Sequence, residues 1–274
     1  MRKYKFNRKL KKLKNVLFQV SLQQLSEIQT ITRGHRCGGV MVSLLHVLTA
    51  ASCTFNTVNG VSVPKNPVEY RVFAGAVSLI NDNNQDHIRF IANFTAHPEF
   101  IGAPAFVNDI AIITLNVPFA NTTIIPLPLP SSNFGPSDFT LCTLAGWGSQ
   151  NISSNASIEL MYTTKYIYNQ NVCTSVYSTQ SGIANIFPNM ICAVSYDIVS
   201  GDQGNALVCN GGLAGVLFLT TGCTPSSFPE LYVRVSNYTT WIRSITGGAS
   251  TFQPGIAVLM IFTIVQLITT KIIS

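Results

Sequence analysis

Short apolar runs alternate with clusters of Gly, Pro, Asn and Ser along most of the chain. The runs include "GVMVSLLHVLTA", "YRVFAGAVSLI", "HIRFIANFTA", "DIAIITL", "FTLCTLAGWG", "NALVCNGGLAGVLFL" and "LYVRVS". Apolar, β-branched runs bounded by turn-forming residues are typical of β-strands. The pattern predicts an all-β barrel or sandwich, with one short helix at "NYTTWIRSI", where Trp241, Ile242 and Ile245 can share a face.

The C-terminal end departs from this pattern. Residues 255–270, "GIAVLMIFTIVQLITT", form a nearly uncharged apolar run, which we expect to attach the protein to a membrane. Small residues from Gly247 to Ser250 and the spacer "TFQPG" precede the run, an arrangement that favours a cleaved GPI signal. A short transmembrane helix is the alternative.

The positive charge is concentrated at the N-terminal end. Residues 1–15 carry eight of the seventeen Lys and Arg, although the formal net charge of the whole chain is +6. The rest of the chain therefore has nine cations against eleven acids. A nucleic-acid-binding domain would carry its cations on the folded body, so we expect no nucleic-acid partner. We expect this basic head to be disordered.

Seven cysteines are spread through the chain without a close C-x-x-C pair. This usage favours disulfides in an oxidising compartment over a zinc site, and we expect no metal and no other cofactor. The odd count leaves one cysteine over. Glycosylation sequons add to the case for secretion, and they begin at Asn93, Asn121, Asn151, Asn155 and Asn237. We expect an extracellular or cell-surface protein, although the head lacks the apolar core of a clear signal peptide.

Six motifs, in order, carry a family resemblance: "HRCGGVMVSLLHVLTAASC", "NDIAIITL", "LCTLAGWGSQ", "MICA", "GDQGNALVC" and "LYVRVSNYTTWIRSI". From about residue 18 to 245 they resemble the chymotrypsin-like (trypsin) serine proteases. The resemblance implies two packed six-stranded antiparallel β-barrels, an active site in the cleft between them and a C-terminal helix across the back. The chain then divides into a head (1–15), a trypsin-like domain (16–246), a linker (247–254) and a hydrophobic tail (255–274).

The resemblance also implies a disulfide pattern. The implied pairs are Cys37 with Cys53, Cys142 with Cys209, and Cys173 with Cys192. Cys223 matches a family cysteine whose partner position holds Val199 here, which accounts for the odd count. We expect Cys223 to be an inert buried thiol or, less commonly, the link in a disulfide-bonded dimer.

The catalytic positions of the family are degenerate in this chain. Peptide cleavage by that family needs a serine nucleophile, a histidine that takes its proton and an aspartate that orients the histidine. The aspartate is kept as Asp109, but Ser52 stands at the histidine position and Gln203 at the serine position. A carboxamide is not a nucleophile and a hydroxyl is not a base near neutral pH. We expect Ser52 to donate its hydroxyl to Asp109, and Gln203 to bond to Ser52 or fill the void.

Other positions of the family's active site have changed too. Gly201 stands at the oxyanion position and Asp197 at the floor of the specificity pocket, but Thr220 and Glu230 replace wall residues and are expected to fill that pocket. Asp202 matches the acid that pairs with a freed N-terminal amine. The segment "KFNR" stands where the activating sequence would lie, so this acid must find another donor or remain as in a zymogen.

These losses predict a non-catalytic serine protease homologue that binds an unidentified protein partner as an adaptor, a decoy or a cofactor for active proteases. The alternative is a trypsin-like endopeptidase with residual or relocated activity. None of the histidines stands at the catalytic position, and we expect each to be a surface or packing residue; they are His35, His46, His87 and His97.

Overall fold

The computed structural model describes residues 17–120, 124–148, 156–178, 185–195, 202–220 and 228–247. Within these residues the strands form two closed six-stranded barrels and one separate two-stranded hairpin. The predicted all-β fold with two barrels is confirmed.

The first half of the chain forms the first barrel and the hairpin. Its strands are β1 (Gln19–Gln24), β2 (His35–Met41), β3 (His46–Thr49), β4 (Phe55–Val58), β5 (Val61–Pro64), β6 (Tyr70–Ala74), β7 (Ile88–Ala96) and β8 (Ala111–Leu115). The barrel closes in the order β1-β2-β3-β8-β7-β6, whereas β4 and β5 pair only with each other. Alternating inward side chains fill the barrel, as Val20 and Leu22 do on β1.

The second half repeats this architecture. Its elements are β9 (Leu141–Gly146), β10 (Met161–Tyr168), α1 (Gln170–Ser178), β11 (Met190–Val194), β12 (Ala206–Cys209), β13 (Gly212–Leu219), β14 (Glu230–Arg234) and α2 (Thr239–Thr246). This barrel closes in the order β10-β11-β14-β13-β12-β9.

Helix α2 is the predicted C-terminal helix. Ile242 is fully buried, and Trp241 and Ile245 pack against the same core, so the predicted apolar face is confirmed. The helix ends at Gly247, whose φ of 70° is the left-handed conformation that glycine adopts without steric cost.

A polar seam joins the two barrels. The buried Gln19 of the first barrel donates from Nε2 to the Ala145 carbonyl and to Asn205 Oδ1 of the second barrel. Gly38 lies so close to this seam that a Cβ there would stand 1.7 Å from Asn205 Oδ1. The barrels therefore meet with almost no space between their backbones, and the candidate site lies along this junction.

The three predicted disulfides are confirmed. They are Cys37–Cys53, Cys142–Cys209 and Cys173–Cys192. The first one ties β2 to the turn that carries Ser52, so it fixes a candidate site residue. Cys223 lies outside the described residues.

The described part of the chain contains no helix that is long and apolar enough to cross a membrane. The head at 1–15 and the tail at 255–274 lie outside the described residues, as does the linker apart from Gly247.

Candidate functional site

Ser52 and Asp109 lie together at the junction of the barrels. Ser52 belongs to a 3-10 turn, Ala51–Thr54, that follows β3, and Asp109 precedes β8, the neighbour of β3 in the barrel. The backbone N–H of Ser52 donates to Asp109 Oδ1 at 2.7 Å. The Asp109 side chain is completely buried. The two triad positions that the sequence placed side by side are therefore in direct contact.

The regular hydrogen bond in this contact comes from the main chain of Ser52 and not from its hydroxyl, which the sequence predicted as the donor. Neither Ser52 Oγ nor Asp109 Oδ2 has a hydrogen-bond partner of regular geometry within the described residues, although both atoms are buried. The main chain is the donor because the 3-10 turn directs the N–H of residue 52 at the carboxylate.

The environment of Asp109 disfavours its charge. Burial raises the pKa of Asp109 from its ordinary value of 3.8 to about 6. The Ser52 backbone N–H is the largest opposing influence on this pKa, followed by the Ser52 side chain and the Ala51 backbone. The carboxylate thus has fewer stabilising partners than its complete burial requires.

Gln203 makes its hydrogen bonds with residues other than Ser52. Its side-chain Nε2 donates to the Phe218 carbonyl at 2.8 Å, and its main-chain carbonyl accepts from the Gly38 N–H at 2.7 Å. The predicted bond from Gln203 to Ser52 is therefore absent. The next residue, Gly204, has φ +88° and a Cβ there would lie 2.2 Å from the Gly38 carbonyl oxygen, so the turn that orients Gln203 requires glycine.

Asp202 lies beside a histidine at the junction of the barrels. His35 Nε2 lies 3.0 Å from Asp202 Oδ1, and Oδ2 accepts from the Trp147 backbone N–H at 2.9 Å and from Asn205 Nδ2 at 3.2 Å. The other ring nitrogen of His35 is 2.7 Å from Ser21 Oγ. His35 is thus a buried residue away from the catalytic position, as expected, and its contact with an acid was not predicted.

Glu230 lies in a buried ion pair. Its Oε2 is 2.9 Å from Lys165 Nζ, and the two side chains are only 8% and 2% exposed. The hydroxyl of Tyr232 donates to the same oxygen at 2.6 Å, and Thr220 Oγ1 lies 3.4 Å from Oε1. The structure thus brings Thr220 and Glu230 into contact, and their filling of a specificity pocket stays a prediction.

Lys165 was missed by the sequence analysis, but a signal for it exists. In "MYTTKYIY" the buried positions of β10 alternate, and Thr163, Lys165 and Ile167 share the inward face. A lysine at an inward position needs a buried acid, which Glu230 supplies from β14. Burial, and then Glu230, raise the pKa of the Tyr232 hydroxyl well above its usual range, so Tyr232 stays a proton donor to the carboxylate.

The remaining predicted residues divide into two groups. Asn93 on β7 and Asn237 before α2 are exposed, and Asn93 Nδ2 donates to the Thr95 hydroxyl of its own sequon at 3.1 Å. Several positions lie outside the described residues, namely Asp197, Gly201, Asn121, Asn151 and Asn155. In the part of the chain that the structure describes, no three His, Cys, Asp or Glu side chains are placed to hold a metal ion.

Comparison with known proteins agrees with the two-barrel fold. The family model "Trypsin" matches residues 9–242. The chain belongs to the trypsin family. This trypsin-family chain is 30% identical to pig (Sus scrofa) trypsin over 237 residues, which is 84% of the chain and 90% of the relative. It is 29% identical to chicken (Gallus gallus) urokinase-type plasminogen activator over 223 residues, which is 76% of the chain but only half of that relative.

A solved structure shows the same fold. The structure of neuropsin, described as a serine protease expressed in the limbic system of mouse brain, superposes with a TM-score of 0.69 at 28% identity. The match covers 85% of this chain and 95% of neuropsin.

Proposed function

We propose that this chain is a non-catalytic member of the trypsin family that acts by binding another protein. One observation carries the proposal. At the meeting point of the barrels, Asp109 is bound to the main chain of Ser52, and the Gln203 carboxamide is bound to the Phe218 carbonyl. Neither a base nor a nucleophile stands where this family needs them.

The chemistry of the substituted groups supports this reading. A general base must accept a proton near neutral pH, and the Ser52 hydroxyl cannot do so. The Gln203 nitrogen has a delocalised lone pair, and it is occupied as a donor. In enzymes of this mechanism, loss of the base or the nucleophile alone lowers kcat about 10⁶-fold.

Two further contacts support loss of substrate cleavage. His35 holds Asp202, the acid that the family pairs with a freed amine. Glu230 forms a buried ion pair with Lys165 and also contacts Thr220. Two residues at the wall positions of the specificity pocket are therefore bonded within the protein and are not free to bind a substrate side chain. A fold that is kept without its chemistry suits a scaffold that presents loops to a protein partner.

The disulfides favour an oxidising compartment, and with the exposed Asn93 and Asn237 they support an extracellular or cell-surface protein. We place its membrane attachment in the apolar tail at 255–270. The partner is then a secreted or cell-surface protein, which this chain serves as an adaptor, a decoy or a protease cofactor.

The proposal is tested by expressing the full chain through a secretory pathway and measuring hydrolysis of pooled peptide and thioester substrates. Pig trypsin, measured in the same assay, is the positive control. We expect a folded, disulfide-bonded product with no turnover above the buffer rate. Turnover that disappears when one chosen residue is replaced by alanine would show that the chemistry has moved to that residue.

A further inference from the structure

The hairpin of β4 and β5 stands outside both barrels. Its turn is Asn59-Gly60, with φ values of +51° and +79°, which is the sequence and conformation of a tight two-residue hairpin turn. The register pairs Val58 with Val61 next to the turn and Phe55 with Pro64 at the base. The hairpin is therefore a preformed element and not an irregular loop.

The two faces of the hairpin differ. Residues directly opposite each other share a face, so Phe55 and Ser62 lie on one side. The Phe55 ring is 5.3 Å from the Phe100 ring, and Ser62 Oγ lies close to Gly102, where an added Cβ would be 3.1 Å from that oxygen. This side packs against the segment that follows β7.

The opposite face consists of Asn56, Val58, Val61 and Val63, which we call the valine face. Its valines are 51%, 62% and 41% exposed, respectively. The other side of the hairpin packs against the segment after β7, so these valines are not part of a core. Three neighbouring exposed valines on a regular hairpin form a small apolar patch that is available for contact with a partner.

The edges of the hairpin also carry backbone N–H and C=O groups that can form further hydrogen bonds. Because Val58 and Val61 flank a two-residue turn, they form a hydrogen-bonded pair, and the backbone groups of Thr57 and Ser62 point outward. Among the residues that the structure describes, no backbone hydrogen bond from outside the hairpin reaches 56–63. Unpaired edges of this kind accept an added strand.

The charge and the size of the valine face indicate which kind of partner the hairpin binds. From Cys53 to Pro64 the sequence "CTFNTVNGVSVP" has no charged residue, so it lacks the lysines that usually keep edge strands from pairing and offers nothing to a charged ligand. Three half-exposed valines fall far short of the roughly 800 Å² that each partner buries in a stable protein interface. A second copy of the chain is thus too large an occupant for this face, whereas a short extended segment fits it.

We infer that the β4–β5 hairpin docks an extended, uncharged segment of a partner protein that carries apolar side chains at alternate positions. The segment adds to a hairpin edge through main-chain hydrogen bonds and lays its apolar side chains against the valine face. This inference rests on the proposed binding function. It places the partner next to the degenerate site, because β4 begins directly after the turn that holds Ser52.

The test uses the full chain and a short, end-blocked, fluorescein-labelled peptide of alternating threonine and valine, with binding followed by fluorescence anisotropy. V58K/V61K should weaken binding at least tenfold, since it places charge on the valine face. The matched control is V68K, because Val68 is a 72% exposed valine in the turn Pro67–Glu69, outside the hairpin; it should change binding less than twofold. Hydrogen exchange of the Thr57 or Ser62 amide should slow when the peptide is added.

Four results would overturn the inference. They are absence of peptide binding, equal binding by V58K/V61K and wild type, a concentration-dependent dimer that V58K/V61K abolishes, and flotation with phosphatidylcholine vesicles that V58K/V61K abolishes. The last two would assign the face to a second copy or to lipid. Circular dichroism and disulfide mapping confirm that the variants fold. None of these four results bears on the proposed loss of catalysis. That proposal is contradicted only if the chain hydrolyses substrate.

Discussion

The main-chain N–H of Ser52 donates to Asp109 Oδ1 at 2.7 Å. This bond does not depend on the side chain at position 52, so the aspartate keeps one donor whatever residue replaces a histidine there. The fold could therefore lose the base of a triad without leaving the buried acid wholly unpaired. The remaining desolvation of the buried carboxylate is seen in the raised pKa of Asp109.

That pKa predicts a pH dependence of stability. A carboxyl whose pKa is about 6 in the folded protein and 3.8 in the unfolded chain binds its proton more tightly when folded. Its stabilising contribution is complete below pH 4 and is lost as the pH rises through 6, by on the order of 3 kcal/mol. D109N removes this dependence. Urea unfolding from pH 4 to 8 should show D109N gaining stability relative to wild type as the pH rises, and a difference that is constant with pH would contradict the assignment.

The His35–Asp202 pair predicts a large loss on removal of the histidine. H35A leaves the Asp202 carboxylate, which is only 10% exposed, without this partner, and we expect it to lower the free energy of unfolding by about 3 kcal/mol. D202N in the same background should recover part of the loss, because the amide carries no charge. Urea denaturation of the two single variants and the double variant measures this coupling. A loss below about 1 kcal/mol in H35A would show that the His35–Asp202 pair contributes little to the stability of the fold.

The Lys165–Glu230 pair predicts a non-additive result. K165M leaves Glu230 buried without a cation and should lower the free energy of unfolding by about 3–5 kcal/mol. K165M/E230Q has no buried charge and should be much closer to wild type in stability. Thermal unfolding of the three proteins tests this. Additive losses in the double variant would mean that the two side chains do not depend on each other.

The strands and the apolar face of helix α2 could be predicted from the local pattern of apolar residues, because that pattern follows the period of each element. The two-barrel arrangement and the disulfide pairs, such as Cys37 with Cys53, could be predicted only through the family resemblance that the motifs carry. The partners in the site could not be predicted this way. His35 and Asp202 are far apart in sequence and meet only where β2 approaches the turn before β12. The orientation of Gln203 depends on the left-handed turn at Gly204.

Restoring the missing triad residues should not restore a good protease. In S52H/Q203S the histidine and serine return beside Asp109, but His35 still holds Asp202 and Lys165 still holds Glu230. We expect peptide turnover to stay at least 10³-fold below that of pig trypsin in the same assay, since binding and activation remain altered. Turnover close to that of trypsin would show that the two substitutions alone account for the loss.

The proposed function requires that this chain carry no activated serine. A fluorophosphonate reports such a serine, so the secreted full chain is incubated with an excess of it, and the intact mass is measured before peptide mapping. We expect an unchanged mass, with pig trypsin fully labelled under the same conditions. A stoichiometric phosphonyl adduct on a single serine of the folded protein, lost after denaturation before labelling, would show that the chain has an activated serine and is not a non-catalytic homologue.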